Sequence, residues 1–217
     1  MVALALSYRG VIPGGMLNDH TRRTARRARR RVPQCWLMTD PRLALGLASG
    51  LVGAIACLPP RSAVVVRRDM LCADQAQMLR AVRRVARARR HLLLTSGRTV
   101  AGFDGRHASG GVLHTGNRRR RPGWQSVPVH NAREAARARA LRADAVLVSP
   151  VYPTRSHPGS GAIGPAGFAR LARISGCPAI ALGGMNPALF PIVRRFGASG
   201  WAAIDAWLVP AITAGRT

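Results

Sequence analysis

The chain has 217 residues, a length that suits one domain and at most two. Hydrophobic residues make up 47% of it and charged residues 19%, a globular composition that excludes a fully disordered chain. All 34 basic residues are arginine and they oppose only 8 acids, so the formal net charge is +26. Aromatic residues, at 5%, are not interleaved with the arginines as a stacking platform, so the charge alone argues weakly for nucleic-acid binding.

Cysteine usage and apolar runs restrict the class of protein further. The four cysteines form no C-x-x-C pair, which predicts no zinc site, redox motif or disulfide framework and favours a cytoplasmic location. The apolar stretch Leu43–Leu58 is shorter than the roughly 20 residues of a membrane-spanning helix. Residues 1–32 carry a block of arginines, which we interpret as a mobile tail preceding a folded domain at residues 33–217.

From Pro33 onward, short apolar runs alternate with segments of helical spacing. Continuous apolar runs are typical of buried parallel strands, and eight strand–helix units predict an α/β protein of one domain, a (β/α)8 TIM barrel. A doubly wound open sheet is the alternative that periodicity leaves open. The predicted strands are Cys35–Thr39, Ala63–Val66, Leu92–Thr95, Gly111–Leu113, Val127–Val129, Ala145–Ser149, Ala179–Leu182 and Gly200–Ile204. The predicted helices are Pro41–Cys57, Ala73–Ala88, Ala132–Leu141, Ala166–Ile174, Pro187–Phe196 and one after Ile204, with a weakly helical piece after the third strand.

In such a barrel the active site lies at the carboxyl ends of the strands, with a phosphate site after strands seven and eight. Gly183 and Gly184 follow strand seven, where glycines let main-chain N–H groups approach an anion and the helix from Pro187 adds its dipole. Asp205 follows strand eight. The alternative is that the glycine pair is only a tight turn.

Two further strand ends carry candidate site residues. The long loop after strand six holds Thr154 and Ser156 beside Arg155 and His157, a set that can hydrogen-bond phosphate oxygens. His130 ends strand five, where an imidazole is placed to move protons. The alternatives are that the loop is only an exposed surface loop and that the histidine has a structural role.

Four segments with their spacing resemble the thiamine phosphate synthase family, which includes a thiazole tautomerase branch. They are Val129-His130-Asn131 with Glu134, Ala143 to Thr154, Leu182-Gly183-Gly184-Met185 and Phe196 to Gly200. The resemblance implies a (β/α)8 barrel that binds a thiazole phosphate on the backbone at Gly183-Gly184 and near Ile204-Asp205. It also implies that Thr154, Ser156 and the following cation line a pyrophosphate side.

The same resemblance shows departures from the family pattern. The family places metal-binding Asn and Asp residues after strands three and four, where this chain reads Thr95-Ser96-Gly97 and His114 to Asn117. The family has three polar residues at alternate positions after strand two, and this chain keeps only one of them, Arg67. Mg²⁺ usually needs one or two carboxylates, so the pyrophosphate half is predicted to be degenerate, with no metal site. Mg²⁺ is expected only if the protein is an active synthase.

Three functions follow as hypotheses. The first is a thiamine-pathway barrel of tautomerase type, in which His130 moves a proton while Thr154 and Ser156 orient the thiazole phosphate. His130 and Ser156 are the two candidate catalytic residues. The second is a divergent synthase that joins hydroxymethylpyrimidine pyrophosphate to the thiazole phosphate, using Asn117 and Arg67 in place of the missing ligands. The third is a non-catalytic or nucleic-acid-binding barrel. The expected partner is a small phosphorylated substrate rather than nucleic acid or a membrane, and self-association is left open.

Overall fold

The protein folds as a closed barrel of eight parallel strands in the order β1 to β8. This computed structural model describes residues 31–41, 47–67, 76–108, 123–154 and 161–207. Each strand pairs in parallel with its sequence neighbour, and β8 pairs with β1, so the sheet has no edge. The fold is therefore a (β/α)8 barrel, and the open sheet is excluded. The strands are β1 Cys35–Met38, β2 Ala63–Val66, β3 Leu92–Ser96, β4 Gly105–His107, β5 Trp124–Val129, β6 Ala145–Val148, β7 Ala179–Leu182 and β8 Ala198–Ala203.

Helices follow most of the strands. They are α1 Leu47–Cys57, α2 Ala76–Ala88, α3 Ala132–Ala140, α4 Gly164–Ser175 and α5 Phe190–Arg195, and a 3-10 turn covers Asp205–Trp207. Asn131 caps α3 by accepting a hydrogen bond from the Glu134 amide, as its sequence position suggests. No helix in the described ranges is long and apolar enough to cross a membrane.

Two apolar layers result from the alternation of side chains along the strands. One fills the barrel interior with Trp36, Val65, Leu94, Leu147 and Ile180. The other lies between the strands and the helices and includes Leu37, Val64, Val146 and Phe168. Apolar side chains are needed on both faces of a strand, which is why the strands read as continuous apolar runs.

The fourth strand was predicted wrongly. It is Gly105–His107, between β3 and β5, whereas Gly111–Leu113 lies outside the described residues. The weakly helical piece predicted after β3 is a loop from residue 97 to residue 104. β4 holds one glycine and two polar residues that the barrel buries, so it has no apolar run to mark it.

The start of α5 was also predicted too early. The side-chain oxygen of Asn186 accepts a hydrogen bond from the Leu189 amide at 3.0 Å, forming a turn over the intervening residues. The helix therefore begins at Phe190 and not at Pro187. Its N-terminus does not follow the glycine pair directly. The structure therefore does not support the expected contribution of the helix dipole to an anion at Gly183-Gly184.

Candidate functional site

A cavity of about 570 Å³ opens at the carboxyl ends of the strands. Predicted site residues from five different strand ends line it, which brings together positions far apart in the chain. Of the predicted set, Ser156, His157 and Asn117 lie outside the described residues. The predicted residues that line the cavity are Arg67, His130, Thr154, Gly183, Gly184, Ile204 and Asp205; the remaining lining residues include Met38, Pro150, Leu182 and Met185.

The two glycines after β7 are required by their surroundings. Gly183 has φ +92 and Gly184 φ +62, which side chains rarely adopt. A Cβ on Gly183 would lie 2.8 Å from Pro150 Cα, because the loop after β6 packs directly on this turn. The Val151 amide donates to Leu182 O at 2.9 Å and the Tyr152 amide to Gly183 O at 3.1 Å. The turn after β7 is thus in close contact with the loop after β6, and the sequence did not predict this contact.

Main-chain amides at this end of the cavity are available to a ligand. Gly184 and Met185 on one side and Ile204 and Ala206 on the other all line the cavity. Within the described chain, the amides of these four residues donate no hydrogen bond to another protein group. Two turns with amides of this kind at one cavity wall can accept an anion such as a phosphate group.

The turn after β8 is anchored by tryptophan. The Trp207 amide donates to Ile204 O at 3.1 Å, and its indole Nε1 donates to Trp36 O at 3.2 Å. The Trp207 ring also stacks on Trp201 with ring centroids 4.9 Å apart. These contacts hold Asp205 at the cavity wall, facing the same space as the glycine turn.

His130 forms a pair with Glu134 at the tip of β5. Its Nδ1–H donates to Glu134 Oε2 at 2.9 Å, and its main-chain amide donates to the same oxygen at 2.7 Å. The carboxylate fixes the tautomer and leaves Nε2 as the basic nitrogen. The imidazole is 53% exposed and lines the cavity, so this nitrogen is accessible to a ligand.

A second histidine of this region was missed from the sequence. His107 ends β4 beside Ser126 of β5, in register and facing the barrel interior, and its Nδ1 lies 3.0 Å from the Ser126 hydroxyl. Burial, and secondarily the nearby His130, lower the pKa of His107 to about 4. His107 is therefore neutral near pH 7 and is buried against Ser126.

A repeated aspartate could have located β4. Asp104 directly precedes β4, and its carboxylate accepts the Leu93 amide of β3 at 2.8 Å. Asp144 directly precedes β6 and accepts the Gln125 amide of β5 at 2.9 Å in the same way. An aspartate at the start of a short run thus marks two strands, and only the second run was apolar enough to be recognised.

Arg67 follows β2, and its amide donates to the hydroxyl of Thr39 at 2.9 Å. Among the described residues it is the one arginine that lines the cavity. At the strand ends where the resemblance places metal-binding residues, the structure has Thr95-Ser96 as the last residues of β3 and His107-Ala108 at the end of β4, and none of these four residues carries a carboxylate. Across the described ranges, no three His, Cys, Asp or Glu residues are grouped so that they could hold a metal ion.

Comparisons with known proteins indicate the family and the fold. The family model described as thiamine monophosphate synthase matches residues 62–207. Comparison with curated proteins finds no significant match.

Solved structures share the fold at low identity. Thiamine phosphate pyrophosphorylase from Pyrococcus furiosus is 18% identical with a TM-score of 0.63, covering 85% of this chain and 97% of its own. The Bacteroides thetaiotaomicron protein of that name is 14% identical with a TM-score of 0.54, covering 81% and 84%. An HpcH/HpaI aldolase from Desulfitobacterium hafniense is 12% identical with a TM-score of 0.53, covering 88% and 93%. At such identities these structures indicate the fold alone.

Proposed function

Because this chain belongs to the thiamine monophosphate synthase family, we propose that it binds a thiazole phosphate in the cavity and transfers a proton on that ligand. The observation that carries the proposal is the His130–Glu134 pair at a cavity that the turns after β7 and β8, with their main-chain amides, also line. The phosphate would bind at the amides of the Gly183-Gly184 turn and of the turn at Ile204-Asp205. The thiazole ring would lie against the apolar residues of the lining, which include Met38, Pro150 and Leu182.

His130 is the residue for the proton transfer. Its Nε2 would accept a proton from one position of the exocyclic thiazole tautomer and return it at another, so no atom is gained or lost. Glu134 would stabilise the imidazolium that exists between the two steps. Thr154 lines the same cavity and would orient the ring together with Ser156.

Magnesium does not fit the described part of this site. A pyrophosphate is usually neutralised by Mg²⁺ held on carboxylates, and the described ends of β3 and β4 supply none. The proposed proton transfer therefore uses no metal ion. This is the reason for preferring proton transfer over the synthase reaction.

The test uses the purified protein and the exocyclic tautomer of the thiazole phosphate. In His130→Asn we expect kcat for tautomerisation to fall by about 10²–10⁴-fold, since that is the usual contribution of a general acid–base, while product affinity changes little. Arg133→Ala, an exposed neighbour on α3, is the matched control and should keep wild-type rates. Equal rates in wild type and His130→Asn would exclude the proposed mechanism.

One observation favours the divergent synthase as a second candidate: Arg67 lines the cavity, where it could neutralise a pyrophosphate. In that case the wild type, but not Arg67→Ala, would release pyrophosphate when given hydroxymethylpyrimidine pyrophosphate, thiazole phosphate and Mg²⁺. It would also support growth of a strain lacking the synthase. No pyrophosphate release under these conditions would eliminate this candidate.

A further inference from the structure

Ser149, directly after β6, lies opposite His130, directly after β5. The two strands pair in parallel with Val148 beside Val129, and the Ser149 amide continues this ladder by donating to Val129 O at 3.0 Å. In a parallel ladder a residue bonds to the residues on either side of its partner, so Ser149 and His130 are cross-strand neighbours. Neighbouring strands are about 4.8 Å apart, and both residues line the cavity.

The side chains of both residues point toward the mouth of the barrel. Successive side chains of a strand alternate between its two faces. On β6, Leu147 belongs to the interior layer and Val148 to the outer layer, so Ser149 is in phase with the interior. On β5, Val129 belongs to the outer layer, so His130 after it also faces inward. The hydroxyl and the imidazole therefore face the same space from adjacent strands.

The Ser149 hydroxyl is available to a ligand in this cavity. Within the described part of the chain it forms no hydrogen bond, and it is not enclosed by protein, since Ser149 is only half-buried. Other polar side chains of the lining are already engaged. The oxygen of Asn186 accepts the Leu189 amide. Further interactions within the protein occupy three more residues of the lining: Arg67, Thr154 and Asp205.

The main chain on both sides of Ser149 is fixed. Its own amide bonds to Val129 O, and the following residue, Pro150, accepts the Ile163 amide at 3.0 Å. The turn at Gly183 packs directly on Pro150. A donor held in this way does not need to reorganise when charge develops on a ligand, which is the condition for strong electrostatic stabilisation of a transition state.

We propose that Ser149 is a catalytic residue of the proton transfer, whose hydroxyl donates a hydrogen bond to the ligand atom that becomes negative. When His130 Nε2 removes a proton, the bond between that proton and the ligand breaks, the Nε2–H bond forms, and the electron pair stays on the conjugated ligand. Ser149 stabilises this negative charge and keeps its own proton. The imidazolium then returns the proton at a second position, so atoms and charge balance. The inference deepens the proposed function and rests on it.

The test compares tautomerisation of the exocyclic thiazole phosphate by the wild type, Ser149→Ala and Ser149→Thr. In Ser149→Ala we expect kcat to fall about 10²–10³-fold, the usual effect of removing one preorganised donor, while product affinity measured by calorimetry changes less than about threefold. Ser149→Thr keeps a hydroxyl and should restore kcat to within about tenfold of wild type. The pH dependence of kcat should be the same in all three proteins, because a serine hydroxyl does not titrate near neutral pH.

Ser199→Ala is the matched control, because Ser199 lies near the start of β8, where the cavity lining begins only at Ala202. It should keep the wild-type kcat. A Ser149→Ala variant within about threefold of the wild-type kcat, or a Ser149→Thr variant as slow as Ser149→Ala, would overturn the inference alone. So would an equal loss of product affinity and kcat in Ser149→Ala, since the hydroxyl would then act in binding only. A wild type that is folded by circular dichroism but does not tautomerise the substrate would overturn the proposed function and this inference together.

Discussion

Two buried histidines, His91 and His107, have lowered pKa values mainly because burial disfavours the charged imidazolium. His91 Nδ1 accepts the Ser62 amide at 3.1 Å, while Nε2–H faces Ile55 O at 3.1 Å. Burial is the main cause that lowers the pKa of His91, with Arg89 adding to it. His107, against Ser126, has its pKa lowered to about 4. Both depressions mean that the folded protein binds fewer protons than the unfolded chain.

Stability is therefore expected to fall in acid. A histidine whose pKa is depressed from 6.5 to about 4 contributes fully above pH 6.5, and its contribution is lost as the pH falls toward 4. For His107 alone, the loss between pH 8 and pH 5 is about 2 kcal/mol of unfolding free energy. Urea unfolding at both pH values should show a smaller loss in His107→Gln than in wild type. An equal loss in the two proteins would mean that His107 is not the source.

At the scale of the elements, the site depends on how closely the loop after β6 packs on the turn after β7. Gly183 and Gly197 both have φ near +90, but only Gly183 has neighbours where a Cβ would lie. The two positions therefore separate the cost of backbone conformation from the cost of a steric clash.

Gly183→Ala is expected to destabilise the protein by about 1–3 kcal/mol more than Gly197→Ala, because the added methyl overlaps Pro150. Both substitutions share the roughly 1–2 kcal/mol cost of a left-handed backbone. Urea unfolding of the two variants and the wild type measures the difference. Equal destabilisation would show that the loop after β6 moves away at no cost.

For the molecule as a whole, charge is the largest departure from an ordinary domain. The net charge is +26, and several of the 8 acids are occupied inside the fold: Asp104 and Asp144 bind main-chain amides and Glu134 binds His130. The arginines of the outer helices therefore repel one another with few carboxylates to offset them.

Raising NaCl from about 20 mM to about 200 mM should raise the thermal midpoint of unfolding, since the Debye length shortens and the repulsion is screened. Sorbitol at equal osmolality controls for effects other than screening. A midpoint that stays constant or falls with salt would indicate that the arginines are already compensated.

The sequence by itself determined the (β/α)8 barrel, because seven of the eight strands must present apolar side chains to both the barrel interior and the helices. It also located His130, the Gly183-Gly184 turn and Asp205, because parallel strands bring their carboxyl ends to one mouth, and these residues do line one cavity. Their chemical roles remain predictions.

Only the tertiary structure decided which polar residues are buried. β4 became a strand because β3 and β5 supply its hydrogen bonds, although Gly105–His107 has no apolar pattern of its own. The pairing of His107 with Ser126, and of Pro150 with Gly183, joins segments distant in the chain. Local sequence does not encode such contacts, because closure of the barrel sets the distance between them.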